Sequence, residues 1–217
     1  MDKKILKPAS DPLNLVIIRP VSTRISPLLA KTFVTPNQVS LFSMILGLAA
    51  ALMFVLHSQF EYRVAAALLY YFYLVFDCVD GELARLKGIA SPFGKWFDGL
   101  VDTVVTSFAL AGLTIAALNV NAPFALVLGF VAVIGFNITN FSYQYAQLVF
   151  QKENNAAPVV QSKLSIVRVF TGFSPGLQML VICLGWVVNA PLVVLGIFAV
   201  WTNGLWIART FKLHSKK

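Results

Sequence analysis

Five of the chain's nine acidic residues fall between Asp77 and Asp102: Asp77, Asp80, Glu82, Asp98 and Asp102. On a helix, Asp77, Asp80, Gly81 and Ala84 follow the i, i+3, i+4, i+7 pattern of one face, and Arg85 borders it. Gly94, Asp98 and Asp102 follow i, i+4, i+8 on the next helix. Lys87 to Pro92, with Gly88, Ser91 and Pro92, reads as a turn, so the two helices are expected to pack antiparallel and bring two acidic faces together. Four carboxylates in one cleft repel unless cations bridge them. Hard divalent ions with oxygen ligands, Mg²⁺ or Mn²⁺, suit that donor set. Gly81 and Ala84 leave room for a ligand, and Arg85 is suited to phosphate oxygens. Metal, arginine and small residues together describe a diphosphate site. Glu82 points off this face and is expected to meet solvent or lipid headgroups.

The elements that carry these residues are membrane helices. The chain is 58% hydrophobic and 12% charged over 217 residues, the composition of a polytopic membrane protein. A net charge of +8 would suggest nucleic acid in a soluble domain; here the apolar runs assign it to loops beside anionic lipid, and no nucleic-acid partner is expected. Cys78 and Cys183 have neither disulfide-framework nor zinc spacing. The apolar stretch Leu13 to Ile18 is too short for a signal-peptide core, and Pro20 interrupts it.

A span needs about 20 mostly apolar residues. Six candidates are present: Pro36 to about Leu56, Val64 to Arg85, Pro92 to Leu118, Ala122 to Phe150, Thr171 to Val188, and Ala190 to Thr210. Thr35-Pro36-Asn37-Gln38 has the form of a capping box opening the first. Leu13 to Lys31 mixes apolar residues with Arg19, Arg24 and Lys31, as in a helix lying on the membrane surface, broken by Pro20 and Pro27. With the N-terminus inside, every Lys and Arg except Arg63 falls on the inner side, which puts both termini and the acidic helix ends in the cytoplasm. The expected fold is therefore all-α and integral to the membrane, a six-transmembrane-helix bundle with an N-terminal amphipathic interfacial helix. Residues 1–33 form the interfacial segment, 34–212 the membrane domain and 213–217 a basic tail.

The run Asp77-Cys78-Val79-Asp80-Gly81-Glu82-Leu83-Ala84-Arg85, followed at fixed spacing by Gly94, Asp98 and Asp102, resembles the signature D-x2-D-G-x2-A-R-x8-G-x3-D-x3-D of the CDP-alcohol phosphotransferase family. Every fixed position matches. The resemblance implies transfer of a phosphoalkyl group from a CDP-alcohol to a hydroxyl, with CMP leaving. It implies that Asp77, Asp80 and Asp98 hold metal, and that Asp102 is the general base or a ligand of a second ion. Gly81, Ala84 and Arg85, with Asp77 and Asp80, would contact CDP, and Gly94 would allow close helix approach. The Thr-Pro-Asn opening is shared with the family, so Asn37 joins the CDP-binding candidates beside its capping reading. A homodimer is implied by the resemblance alone.

The donor is expected to be a CDP-lipid such as CDP-diacylglycerol, with CDP-archaeol or a soluble CDP-polyol as alternatives. Asn137, Asn140, Gln144 and Gln147 form a polar stripe on the fourth span. They serve either an acceptor pocket, with Asn140 and Gln144 as candidates, or interhelical hydrogen bonding. Lys163 and Arg168, in the last inner loop, are candidates for an acceptor phosphate or simply topology charges. The segment Ile18 to Ser40 resembles archaeal and bacterial members that act on inositol phosphates. Together these favour a phosphorylated polyol, such as inositol phosphate or glycerol phosphate, as acceptor, and a prokaryotic cell membrane as location. An ion-coupled transporter using intramembrane aspartates is the competing reading, and a catalytically silent scaffold a third.

Overall fold

The computed structural model describes residues 13–56, 59–154 and 174–214, with side chains described except at 146–154 and 212–214. Its regular structure is all helical. A π-helical turn, Asn14–Ile18, runs into α1, Arg19–Ala30; then come α2, Pro36–Leu56; α3, Phe60–Lys87; α4, Pro92–Asn119; α5, Ala125–Asn154; α6, Pro175–Val187; and α7, Pro191–His214. Helices α2, α3, α4, α5 and α7 are each long and apolar enough to cross a membrane. The chain is an integral membrane protein. The expected fifth span coincides with α6, whose 13 described residues reach about 20 Å, short of a hydrocarbon core of about 30 Å.

Helix boundaries follow local chemistry. At α2 the expected capping box is formed: Gln38 N–H donates to Thr35 Oγ1 at 3.4 Å, and Thr35 N–H donates to Gln38 Oε1 at 2.9 Å. Ser91 caps α4 by accepting from Gly94 N–H, with Pro92 at the first helical position. Gly88 ends α3 at φ 67°, the left-handed conformation glycine adopts without strain. Helix α3 begins at Phe60 rather than Val64 because Glu61 and Arg63 extend a polar turn beyond the apolar run. Helix α5 begins three residues later than Ala122, after Phe124 at φ 60°.

Helix α2 is the centre of the arrangement. It packs along both α3 and α4, α4 packs on α5, and α5 packs on α7. Helices α3 and α4 reverse direction at Gly88 but share few close backbone contacts; α2 wedges against both. The antiparallel pair read from the sequence is thus splayed, and the acidic faces look across the gap. Small residues on the contact faces permit this. Gly47 of α2 sits where a Cβ would strike Val105 of α4 and Tyr73 of α3, and Gly112 of α4 sits against the backbone carbonyl of Ala51. Gly112→Ala is expected to force α2 and α4 apart and to cost about 1–3 kcal/mol. A melting temperature in detergent equal to that of the wild type would show the contact to be slack.

Helix α1 departs from expectation. It runs unbroken through Pro27, and its buried face is polar: Ser22 and Ser26 are fully buried, whereas Leu28 is exposed. That polar face lies against α3, where it covers Glu82. Glu82 does not meet solvent or headgroups; its exposure is 0%. Hydropathy suits α1 to the membrane surface, yet Arg19, Ser22 and Ser26 recur at i, i+3, i+7 and complement one carboxylate.

Candidate functional site

The last turns of α3 and the first turns of α4 bring Asp77, Asp80 and Asp98 together. Each offers a carboxylate oxygen, and these oxygens lie within 4.8 Å of one another. Asp80 is buried and accepts a short hydrogen bond from Ser40 Oγ of α2. Asp77 is half-buried, and its Oδ1 has no hydrogen-bond partner among the described residues. A buried carboxylate oxygen without a donor is costly to leave so, and a cation bound by all three groups satisfies it. The residues therefore fit a hard divalent ion: only oxygen donors, from facing helices, around one point.

Asp102 sits one helical turn further along α4 and is not part of that triad. Its Oδ1 accepts from the Tyr73 hydroxyl at 2.6 Å. It lines a cavity of about 70 Å³, shared with Tyr70, Thr106, Phe136, Asn140 and Gln178, which has room for several waters. The sequence therefore brings four aspartates to one gap, but at two levels.

The remaining candidates divide by position. The Arg85 guanidinium folds back over Gly81, 3.3 Å from where a Cβ would stand, so any side chain at 81 would contest its place. Ala84 is half-buried beside it. Asn37 is exposed, with Oδ1 3.7 Å from the Cβ position of Gly94, at the mouth of the gap. The close approach at Gly94 is therefore to this side chain and to Ser91 Oγ rather than to a helix backbone. Asn140 reaches the Asp102 cavity, and Gln144 is exposed with its amide near Gly99. Asn137 donates to Ser107 Oγ at 3.0 Å, the interhelical role open to the stripe. Lys163, Arg168 and the side chain of Gln147 lie outside the described residues. Lys87, where the α3–α4 turn begins, donates to the Thr32 and Val34 carbonyls at 2.7 and 2.8 Å.

Among the described residues, Ser40 and Tyr73 touch the aspartates although the motif does not contain them. Tyr73 stands four residues before Asp77, on the same helix face, so helical register alone could have found it. Ser40 follows Pro36 by four residues, one turn into α2, and no pattern within the motif points to it.

A family model described as CDP-alcohol phosphatidyltransferase matches residues 33–207. Among curated proteins, the bifunctional IPC transferase and DIPP synthase of Thermococcus kodakarensis is 32% identical over 124 residues, 57% of this chain and 27% of that protein. The phosphatidylinositol phosphate synthase of Corynebacterium glutamicum is 32% identical over 113 residues, 52% of this chain and 48% of that one. The archaetidylinositol phosphate synthase of Pyrococcus horikoshii is 30% identical over 95 residues, 44% and 48% of the two chains. The matched part spans less than half the length of each of these relatives. Among solved structures, Mycobacterium tuberculosis phosphatidylinositol phosphate synthase with CDP-DAG bound superposes with a TM-score of 0.67 at 18% identity, covering 88% of this chain and 92% of that one. The same enzyme in complex with manganese and citrate gives 0.66. These two likenesses establish the fold.

Proposed function

This chain belongs to the CDP-alcohol phosphatidyltransferase family, and we propose that it moves the phosphoalkyl group of a CDP-alcohol to an acceptor hydroxyl with release of CMP. The observation that carries the reading is the meeting of Asp77, Asp80 and Asp98 within 4.8 Å, from two helices, at the positions the family signature marks. These three carboxylates would hold the divalent ion, Mg²⁺ or Mn²⁺, with Asp102 near enough in sequence to serve a second. When bound, the metal neutralises diphosphate charge and makes CMP a better leaving group.

The chain's own residues do the rest. Arg85, folded over Gly81 and beside Ala84, takes phosphate oxygens, and Asn37 at the mouth of the gap reaches the nucleotide. Asp102 accepts the proton of the attacking hydroxyl, held in orientation by Tyr73. One P–O bond forms to the acceptor and the P–O bond to CMP breaks. Asn140 and Gln144 orient the acceptor, and Lys163 and Arg168 meet its phosphate if it carries one.

Donor and acceptor follow the relatives. The three curated proteins named above include two synthases of inositol phosphate lipids, which supports a CDP-lipid such as CDP-diacylglycerol as donor and a phosphorylated polyol as acceptor. The charge pattern supports cytoplasmic termini and a cytoplasmic site in a prokaryotic membrane. Residues 34–212 then form a six-helix membrane domain in which α6, capped by Ser174, is the short sixth member. Residues 1–33 form the interfacial segment, 213–217 the tail, and two copies a homodimer.

The test is CMP release by purified protein with Mn²⁺ and CDP-diacylglycerol, over inositol phosphate, glycerol phosphate, serine and no acceptor. Turnover is expected with a phosphorylated polyol and is expected to vanish with EDTA. Absence of CMP from every donor and acceptor pair would overturn the reading. Flux into proteoliposomes without nucleotide turnover would replace it with transport.

A further inference from the structure

Glu82 lies inside the signature but on the side of α3 away from the three aspartates, where it has a polar setting of its own. Its Oε1 accepts from Arg19 at 2.7 Å and from Ser22 Oγ at 2.9 Å, and its Oε2 accepts from Ser26 Oγ at 2.5 Å. All three donors belong to α1, and the carboxylate has no exposure. A buried charge with one cation and two hydroxyls, each from successive turns of one helix, fixes that helix in rotation as well as in contact. One turn beyond Glu82, Lys87 holds the carbonyls of Thr32 and Val34, so the link from α1 to α2 is tied to α3 too. Tyr71 adds a hydrogen bond from its hydroxyl to the Ile17 carbonyl at 3.0 Å. The helix that follows this link begins at Pro36 and delivers Asn37 to the mouth of the gap and Ser40 to Asp80.

We propose that Glu82 is a positioning residue for the metal site. By locking α1 and the α1–α2 link to α3, it sets where α2 begins and so holds Ser40 on Asp80. The inference rests on the reading of Asp77, Asp80 and Asp98 as metal ligands, and it assigns the N-terminal helix a part in that site rather than in membrane attachment alone. Outer contacts of this kind commonly change metal affinity while leaving the ligands in place.

The test uses the full-length protein in detergent and two readouts: Mn²⁺ binding by electron paramagnetic resonance, and hydrogen–deuterium exchange. Glu82→Gln removes the charge that Arg19 pairs with. It should weaken Mn²⁺ binding about tenfold and speed exchange both in residues 19–30 and in residues 36–41. Ser26→Ala removes a single donor and keeps the ion pair, so it should fold even if Glu82→Gln does not, and should shift both readouts in the same direction by less. Faster exchange confined to residues 19–30, with Mn²⁺ affinity unchanged, would overturn the proposal. It would leave Glu82 as an anchor for α1 and nothing more. A wild type that binds no Mn²⁺ would instead sink the metal assignment. The exchange at residues 36–41 would still decide whether Glu82 governs the start of α2.

Discussion

Asp80→Asn is expected to abolish metal-dependent turnover while leaving the fold intact. The side chain keeps its volume, and its amide oxygen still accepts from Ser40. What it loses is one negative charge of the three that meet within 4.8 Å. A metal that clamps a diphosphate supplies several kcal/mol of transition-state stabilisation, so loss of the ion should lower the rate on the order of 10³-fold. The measurement pairs Mn²⁺ binding with CMP release; both should fall together. Unchanged metal affinity would remove Asp80 from the ligand set. A stability measurement gives an independent sign. Without metal, the substitution relieves repulsion among like charges, so the variant should melt no lower than the chelated wild type. Saturating Mn²⁺ should then stabilise the wild type, by about 2.7 kcal/mol at a hundred times its dissociation constant, and leave the variant unmoved.

Asp102→Asn should behave differently. It lies outside the triad, so donor and metal binding should survive. Its amide oxygen still accepts from Tyr73, so the hydrogen bond at 2.6 Å need not be lost. The lost property is the ability to accept a proton, which is worth about 10²–10⁴-fold in rate when the carboxylate is the general base. Single-turnover CMP release at saturating acceptor, beside CDP-donor affinity by calorimetry, separates the two effects. Slow transfer with normal affinity fits the base. A wild-type rate would assign the proton elsewhere, and a parallel loss of metal binding would make Asp102 a ligand instead.

The portion of this site legible in the sequence was the portion set by intrahelical register. Asp77, Asp80 and Gly81 share a face because helices repeat every 3.6 residues, and Asp98 and Asp102 do so for the same reason. The capping box at Thr35 was legible because its two hydrogen bonds join neighbours in sequence. What eluded the reading depends on contacts between helices. Glu82 sits off the aspartate face, and nothing local shows that α1 returns to cover it. Hydropathy treats Ser22 and Ser26 as a polar side facing water, whereas they face a carboxylate. The splaying of α3 and α4 was hidden for a similar reason: it follows from α2 lying against both, at Gly47 and Gly112, far away in sequence. Lys163 and Arg168 remain candidates by composition and position in the chain alone.

The two-level arrangement bears on a competition that any phosphoryl transferase of this kind faces. Water competes with every other hydroxyl compound as acceptor, and hydrolysis of the donor would waste it. Asp102 stands four positions beyond Asp98, about 6 Å along the helix, so on the proposed assignment the proton acceptor stands deeper than that ligand. It is flanked there by Tyr70, Tyr73 and Phe136. On that assignment, a lone water held at the level of Asp98 lies about one helical turn away from the base. An alcohol long enough to place a hydroxyl at the lower level, while its other polar groups stay at the upper one, finds both. Discrimination between alcohol and water would then be a matter of reach, set by the offset of two carboxylates along a single helix.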